Sequence, residues 1–148
     1  MIDWKLSHFD QLTPAELYAI MQLRSEVFVV EQNCVYLDAD GKDLSCHHLM
    51  GWQVGKLVAC TRLLPPGLSF HEASIGRVTT SPKARGLGIG RQLMQVSMQH
   101  IYALYGQVPI HIGAQLYLLA FYQSFGFVPC STVYLEDGIQ HIEMIKPD

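Results

Sequence analysis

The chain has 148 residues, of which 49% are hydrophobic and 16% are charged, a composition typical of one folded globular domain. The net charge is −3 and no extended basic run is present, so general nucleic-acid binding is not expected. The apolar runs are far shorter than the roughly 20 residues that span a bilayer, and the four cysteines are widely spaced without a CxxC pair. We therefore expect a single cytoplasmic domain, residues 1–148, with reduced thiols and no membrane partner.

The first elements are a strand and a capped helix. Residues 2–9 alternate as a strand. Thr13 and Glu16 then form a capping box around Pro14, which suits the first helical position. The apolar stripe that follows is interrupted by Arg24, which needs an anionic partner. Arg24 either forms an internal salt bridge that orders the next loop or contacts the substrate.

The segment from residue 31 to residue 46 is predicted to be irregular and acidic. It contains Asp38, Asp40 and Asp43, but its glycine comes too early for a calcium loop and no glutamate closes it. A loop of this size between ordered elements is often functional. It is either a lid or acceptor-recognition segment or a solvated acidic surface.

The rest of the chain is predicted to contain six strands and two helices. Strands cover residues 47–54, 57–64, 73–80, 109–113, 130–135 and 139–145, and helices run from the glycine loop to Gly106 and over residues 115–125. This order predicts an α/β fold, a three-layer α/β/α sandwich with a mixed, mostly antiparallel sheet and helices on both faces.

A basic, glycine-spaced loop joins the strand at 73–80 to the next helix. A strand, loop and helix in this order aim free backbone N–H groups and the helix dipole at an anion. Glycines allow close approach of the backbone, and Arg85 and Arg91 can pair with phosphate oxygens. Neither GxxxxGK[ST] nor GxGxxG is present. The loop predicts a ligand that carries phosphate or pyrophosphate.

Two segments carry a resemblance to a known family. Arg85, Gly88 and Gly90 form Arg-x-x-Gly-x-Gly after Val-Thr-Thr-Ser-Pro, and this resembles the acetyl-CoA-binding segment of the GNAT N-acetyltransferase superfamily. Gln115 lies seven residues before Tyr122, with Gly126-Phe127 following, as in a second GNAT segment, although Leu118 replaces the usual small residue. The run from residue 23 to residue 32, with the three aspartates and His48, is similar to the ElaA-like branch.

The resemblance implies acetyl-CoA as cosubstrate and no metal. It implies that the backbone of residues 75–80 holds the pantetheine arm, that residues 85–91 hold the pyrophosphate, and that Tyr122 protonates the departing CoA thiolate as general acid. The CoA-binding residues expected on this basis are Arg77, Val78, Thr79, Thr80, Arg85, Gly86, Leu87, Gly88, Ile89, Gly90, Arg91, Gln115 and Tyr122.

The expected reaction is direct acetyl transfer to a primary amine of a small molecule or peptide. The amine must lose a proton before it attacks, and Glu31, Glu72 and His111 are candidate bases that each also have a structural interpretation. The other histidines lack metal-ligand spacing. Dimers are common in the family, so a homodimer is left open.

Two other functions are left open. One is a non-catalytic CoA-binding sensor that uses the acidic segment to bind a partner. The other is acyl-homoserine-lactone synthesis from S-adenosylmethionine and an acyl-carrier protein, because those enzymes share the Arg-x-x-Val-Phe-x-x-Glu pattern at residues 24–31 more loosely. This chain is short for such an enzyme, and its intact glycine loop favours CoA.

Overall fold

The computed structural model describes all of residues 1–148 and contains eight strands in two four-stranded sheets. The first sheet has the order β1-β2-β3-β4 and the second has β5-β8-β6, with β7 also on β8. The strands are β1 (Asp3–His8), β2 (His47–Gln53), β3 (Lys56–Leu64), β4 (Ser74–Thr80), β5 (Ile110–Gln115), β6 (Val128–Pro129), β7 (Tyr134–Glu136) and β8 (Ile139–Lys146). All strand pairs are antiparallel.

The two sheets meet at one point. A single parallel bridge joins Ala73 to Ile110, and the His111 amide donates to the Ala73 carbonyl at 2.9 Å. Beyond this bridge β4 and β5 form no ladder. The mixed, mostly antiparallel sheet expected from the sequence is therefore confirmed, and it separates between β4 and β5.

Helices cover both faces of the first sheet. The helix α1 (Pro14–Arg24) packs Ile20 and Leu23 on Met50 and Cys60. The helix α2 (Ile89–Tyr105) packs on Leu49 and Ala59, the preceding residues of β2 and β3. Successive strand residues point to opposite faces, so the two helices enclose the sheet. The expected three-layer sandwich is confirmed.

The second sheet contributes the largest core cluster. Ile110, Ile112 and Met144 pack with Phe127 and with Ile101 of α2. A short helix, α3 (Leu119–Gln123), adds Tyr122 to this cluster. The apolar core thus continues past the point where the sheets separate and supports both walls of the gap.

The first helix begins as predicted and ends differently. Thr13 accepts from the Glu16 amide at 3.1 Å, and Glu16 accepts from the Thr13 amide at 2.9 Å, which completes the capping box. After Arg24 the chain continues as a π-helical segment, Ser25–Glu31. Because a π-helix has i→i+5 hydrogen bonds, the side chains after Arg24 point in directions different from those that a continued α-helix would give.

Gln115 corrects the predicted boundaries of the last helix. Gln115 is the final residue of β5 and pairs with His141 of β8, so its backbone is extended (φ −65°, ψ 131°). A 3₁₀ turn, Leu116–Leu118, leads into the five-residue α3. The predicted helix over 115–125 was wrong because cross-strand pairing of Gln115 is not visible in local sequence.

None of the helices has both the length and the apolar character required to cross a bilayer. All four cysteines are free thiols.

Candidate functional site

A cavity with a volume of about 1140 Å³ lies in the gap between β4 and β5. We call it the cleft. One wall is β4, represented by Ile75, Arg77 and Val78, and the other is β5, represented by Ile112 and Gly113. A cleft of this size fits an extended cofactor-sized ligand.

The β4 wall is an edge strand with an irregularity. Its register with β3 shifts between Cys60 and Arg62, and Arg77 has a positive φ of 49°. After the bridge at Ala73, the outer edge of β4 has no strand partner. An unpaired edge presents N–H and C=O groups that can bind an extended ligand.

The glycine loop follows β4 directly and leads into α2. Gly86 and Gly88 have φ values of 84° and 74°, a left-handed conformation that favours glycine. Gly88 caps α2, so the first amides of a 17-residue helix have no partner within the helix. Thr80, Arg85 and Gly90 line the cleft. The expected anion site therefore lies at the mouth of the cleft.

Arg85 is paired with Glu31. Its guanidinium donates to both oxygens of Glu31 at 2.6 and 2.7 Å and to the Thr80 carbonyl at 3.3 Å. This hydrogen bond lowers the pKa of the Glu31 carboxyl. Two residues expected in separate roles, phosphate binding and general base, are therefore partners, and the pairing weakens Glu31 as a base.

The side chains of four other expected CoA-binding residues are not part of the cleft lining. Arg91 donates to the Ser124 hydroxyl at 3.1 Å and lies 4.6 Å over the Phe125 ring. Leu87 and Ile89 line a separate cavity of about 320 Å³. Thr79 is buried, and its hydroxyl donates to the Arg77 carbonyl at 2.7 Å. These residues can contribute backbone groups to a ligand in the cleft, but their side chains do not line it.

Tyr122 and Gln115 both line the cleft. Tyr122 is 5% exposed, and burial raises the pKa of its phenol well above the ordinary value. The Gln115 side-chain amide exchanges hydrogen bonds of 3.2 Å with Gln32. The second predicted segment therefore faces the same space as the glycine loop.

An arginine–aspartate cluster forms another wall. Arg24 is 1% exposed and donates to Asp38 at 2.9 Å and to Asp43 at 2.8 Å, while Arg62 binds both oxygens of Asp40 at 2.7 and 2.8 Å. The Arg62 hydrogen bond holds the pKa of the Asp40 carboxyl far below its usual range.

The arginine–aspartate cluster decides two alternatives left open by the sequence. The internal salt-bridge interpretation of Arg24 is confirmed. A solvated acidic surface is wrong for Asp38 and Asp43, because both are buried. Arg77 joins the cluster, with Nε 2.8 Å from Asp38 Oδ1. Tyr36, Leu37, Asp40 and Lys42 of the segment 31–46 line the cleft, so the arginine–aspartate cluster fixes this segment beside it.

Glu72 and His111 lie beside the cleft rather than in its lining. The Glu72 carboxylate is 2.9 Å from His111 Nδ1, and Glu143 is 2.7 Å from His111 Nε2. The hydrogen bond with His111 lowers the pKa of Glu72. Of the three candidate bases, only Glu31 lines the cleft.

Sequence reasoning missed His141, which is 8% exposed and lines the cleft. Its Nδ1 lies 2.8 Å from the Ile139 carbonyl, which only accepts, so Nδ1 carries a proton and Nε2 of the neutral ring has a lone pair. Glu136 Oε2 lies 3.6 Å from Nε2. The signal that could have found it is strand register, since His141 pairs with Gln115.

Comparison with known proteins identifies the family. Residues 45–147 match the family model for the acetyltransferase (GNAT) domain. The chain belongs to the GNAT acetyltransferase family. Protein ElaA of Escherichia coli K12 is 45% identical over 148 residues, which covers 99% of this chain and 97% of ElaA. The resemblance to the ElaA-like branch of the GNAT family is thereby confirmed.

Solved structures of GNAT proteins agree. An acyl-CoA N-acyltransferase from Pseudomonas aeruginosa has a TM-score of 0.95 and 47% identity, and E. coli ElaA has a TM-score of 0.92 and 44% identity; each comparison covers 99% of both chains. A GNAT family acetyltransferase from Elizabethkingia anophelis with acetyl-CoA bound shares the fold, with a TM-score of 0.66 and 15% identity over 99% of this chain and 97% of that one.

Proposed function

We propose that residues 1–148 form a single cytoplasmic acetyltransferase domain that moves an acetyl group from acetyl-CoA to a primary amine. The observation that carries the proposal is the cleft, in which an unpaired strand edge, a helix N-terminus and Tyr122 face one space. Family membership and the acetyl-CoA-bound relative of the same fold support acetyl-CoA as the donor. The four free thiols agree with a cytoplasmic location.

The CoA positions follow from the two walls of the cleft. The pantetheine amides pair with the free edge of β4 over residues 75–80, as an added strand would. The pyrophosphate lies on the amides of residues 86–91 at the start of α2. When CoA binds, Arg85 leaves Glu31 and pairs with phosphate oxygens instead, so the guanidinium keeps an anionic partner.

Tyr122 is proposed as the general acid. The neutral amine attacks the thioester carbonyl, the C–S bond breaks, and the CoA thiolate takes the phenolic proton. The new amide nitrogen then releases its extra proton, which restores the Tyr122 phenol through solvent. A phenol is protonated at neutral pH, as an acid requires, and burial raises the pKa of Tyr122 further. Burial, rather than a hydrogen bond, is the main cause of this shift, unlike in a phenol whose hydroxyl has a structural partner.

His141 is proposed as the general base that takes the proton of the acceptor ammonium. Its Nε2 lone pair is the free position of the ring, and Glu136 at 3.6 Å stabilises the imidazolium that forms. It replaces Glu31 and Glu72, because both carboxylates are paired and have lowered pKa values. The family resemblance did not assign this role to His141.

The acceptor is proposed to be a small cationic amine or a peptide amine. Glu136 and Asp137 line the cleft near His141, and neither is paired with a lysine or arginine. A cationic acceptor would be attracted to these carboxylates before it gives up its proton.

The test is the variant Tyr122→Phe. We expect kcat for acetyl transfer to fall by roughly 100-fold or more, because the thiolate must leave without its acid, while the Kd for CoA measured by calorimetry stays the same. Tyr18→Phe, an exposed tyrosine on α1, is the matched control. Unchanged kcat would remove Tyr122 from the mechanism.

The same assay separates the non-catalytic alternative. A sensor would bind acetyl-CoA in calorimetry but release no free CoA thiol with any member of a broad amine panel. Product formed only from S-adenosylmethionine and an acyl-carrier protein would instead support lactone synthesis.

A further inference from the structure

Three potential metal ligands from three separate strands or strand ends converge on one face of the second sheet. His111, Cys130 and Glu143 each offer one ligand atom, and these atoms all lie within 4.8 Å of one another. We call them the His–Cys–Glu cluster. The cluster is not part of the proposed transfer mechanism, which uses Tyr122 and His141.

The sheet register explains why the three side chains share a face. Glu143 of β8 pairs with Gly113 of β5, and His111 lies two residues before Gly113 on the same strand. Residues two apart on a strand point to the same face. The Glu143 carboxylate reaches diagonally across the strand pair to His111. The Cys130 amide donates to the Glu143 carbonyl at 2.9 Å, which fixes the third residue at the edge.

The His111 ring is held in one orientation. Phe70 stacks on it with ring centroids 3.8 Å apart and planes within 4°, and Glu72 lies 2.9 Å from Nδ1. A carboxylate on Nδ1 of a histidine whose Nε2 binds a metal is a recurrent arrangement, because it fixes the tautomer and the direction of the free nitrogen.

This orientation places Nε2 against two other potential ligand atoms. Nε2 lies 2.7 Å from Glu143 Oε1 and 3.7 Å from Cys130 Sγ. If His111 donates its Nδ1 proton to Glu72, these three electron-rich atoms repel one another unless a cation or an additional proton lies among them. A nitrogen, a sulfur and a carboxylate oxygen in one place form a donor set that zinc accepts readily.

We propose that the His–Cys–Glu cluster binds one zinc ion through His111 Nε2, Cys130 Sγ and a Glu143 carboxylate oxygen, with Glu72 orienting His111. Cys130 is exposed, and the His111 and Glu143 side chains are partly exposed, so a solvent molecule completes the tetrahedron. The expectation of no metal followed from the family resemblance and from the spacing of the other histidines, whereas these three ligands meet only through strand pairing.

The experiment titrates zinc chloride into tag-free, chelator-treated protein and follows heat in a calorimeter. We expect one zinc ion per chain, and each of Cys130→Ser and His111→Ala to weaken binding at least roughly tenfold. Glu72→Gln, which touches no metal, should also weaken it by about tenfold. His71→Ala, an exposed neighbouring histidine, is the matched control and should change nothing.

Cobalt chloride provides a readout that depends on the ligand set. The wild-type protein should show a thiolate-to-cobalt charge-transfer band, and Cys130→Ser should lose that band while its circular dichroism spectrum is unchanged. No zinc binding to the wild type, or binding that Cys130→Ser and Glu72→Gln leave intact, would overturn the proposal and assign the cluster to an imidazolium between two carboxylates. Neither readout depends on acetyl transfer.

Discussion

Two buried side chains in the cleft are suited to opposite proton transfers. Burial raises the pKa of Tyr122 and keeps the phenol protonated, so it can donate. His141 directs its Nδ1 proton to a backbone carbonyl at 2.8 Å, so the neutral ring can accept only at Nε2. A pair with such separated roles is what an acid and a base in one reaction require.

His141→Asn tests the proposed base. We expect kcat at about pH 7 to fall roughly 100-fold. The variant should recover as pH rises, by about tenfold per unit between about pH 7 and about pH 9, because the free amine then forms in solution. A purely structural role would give no such recovery, so a pH-independent defect measured in the CoA-release assay would contradict the assignment. His71→Ala is the matched control.

Glu31→Gln separates pairing from catalysis. The Glu31 carboxylate is paired with Arg85 in this structure and competes with the CoA phosphates for it. Removal of this carboxylate should therefore strengthen CoA binding a few-fold in calorimetry, the amount expected for an exposed ion pair. The kcat should remain within about twofold of wild type. A fall of about 100-fold would restore Glu31 as the base. Glu26→Gln, another exposed acid on the same π-helical segment, is the control.

At the scale of elements, the arginine–aspartate cluster links α1, β3 and β4 to the segment at 31–46. Arg24 comes from α1, Arg62 from β3 and Arg77 from β4, and all three bind aspartates of that one segment. A segment without regular strands is thereby held beside the cleft by charge pairing rather than by apolar packing.

Arg24→Met tests how strongly the arginine–aspartate cluster stabilises the fold. We expect the free energy of unfolding in urea to fall by about 3–5 kcal/mol, because two buried carboxylates lose their principal partner. Lys5→Met breaks the Lys5–Glu16 pair, whose lysine is largely exposed, and should cost less than about 1 kcal/mol. Equal losses in the two variants would contradict the importance given to burial.

The elements that local chemistry defines were predictable from sequence. The capping box at Thr13 and the two hairpins follow from short-range signals, and both hairpin turns have two successive residues with positive φ, such as Asp137 and Gly138. The glycine loop was also predictable, because its strand, loop and helix are consecutive in the chain.

The features that depend on pairing between distant strands were not predictable. Gln115 was assigned to a helix because nothing near it reveals its partner His141. His141 and the His–Cys–Glu cluster were missed for the same reason, since register decides which side chains share a face. The partners of Arg24 could be anticipated only as acidic, and their burial required the structure.

At the scale of the whole molecule, the proposed function depends on the separation of two sheets. One bridge at Ala73 and Ile110 holds β4 and β5 together, and a core shared by α2 and the second sheet keeps them apart beyond it. The cleft is therefore a consequence of the fold. The unpaired edge of β4, the N-terminus of α2 and the two proposed proton-transfer groups all face this cleft.

A structure of the acetyl-CoA complex tests this account most directly. We expect the pantetheine arm along residues 75–80 of β4, the pyrophosphate on the amides of residues 86–91, and the thioester sulfur within hydrogen-bonding distance of the Tyr122 hydroxyl. Acetyl-CoA bound outside the cleft, or a thioester sulfur directed away from Tyr122, would contradict it.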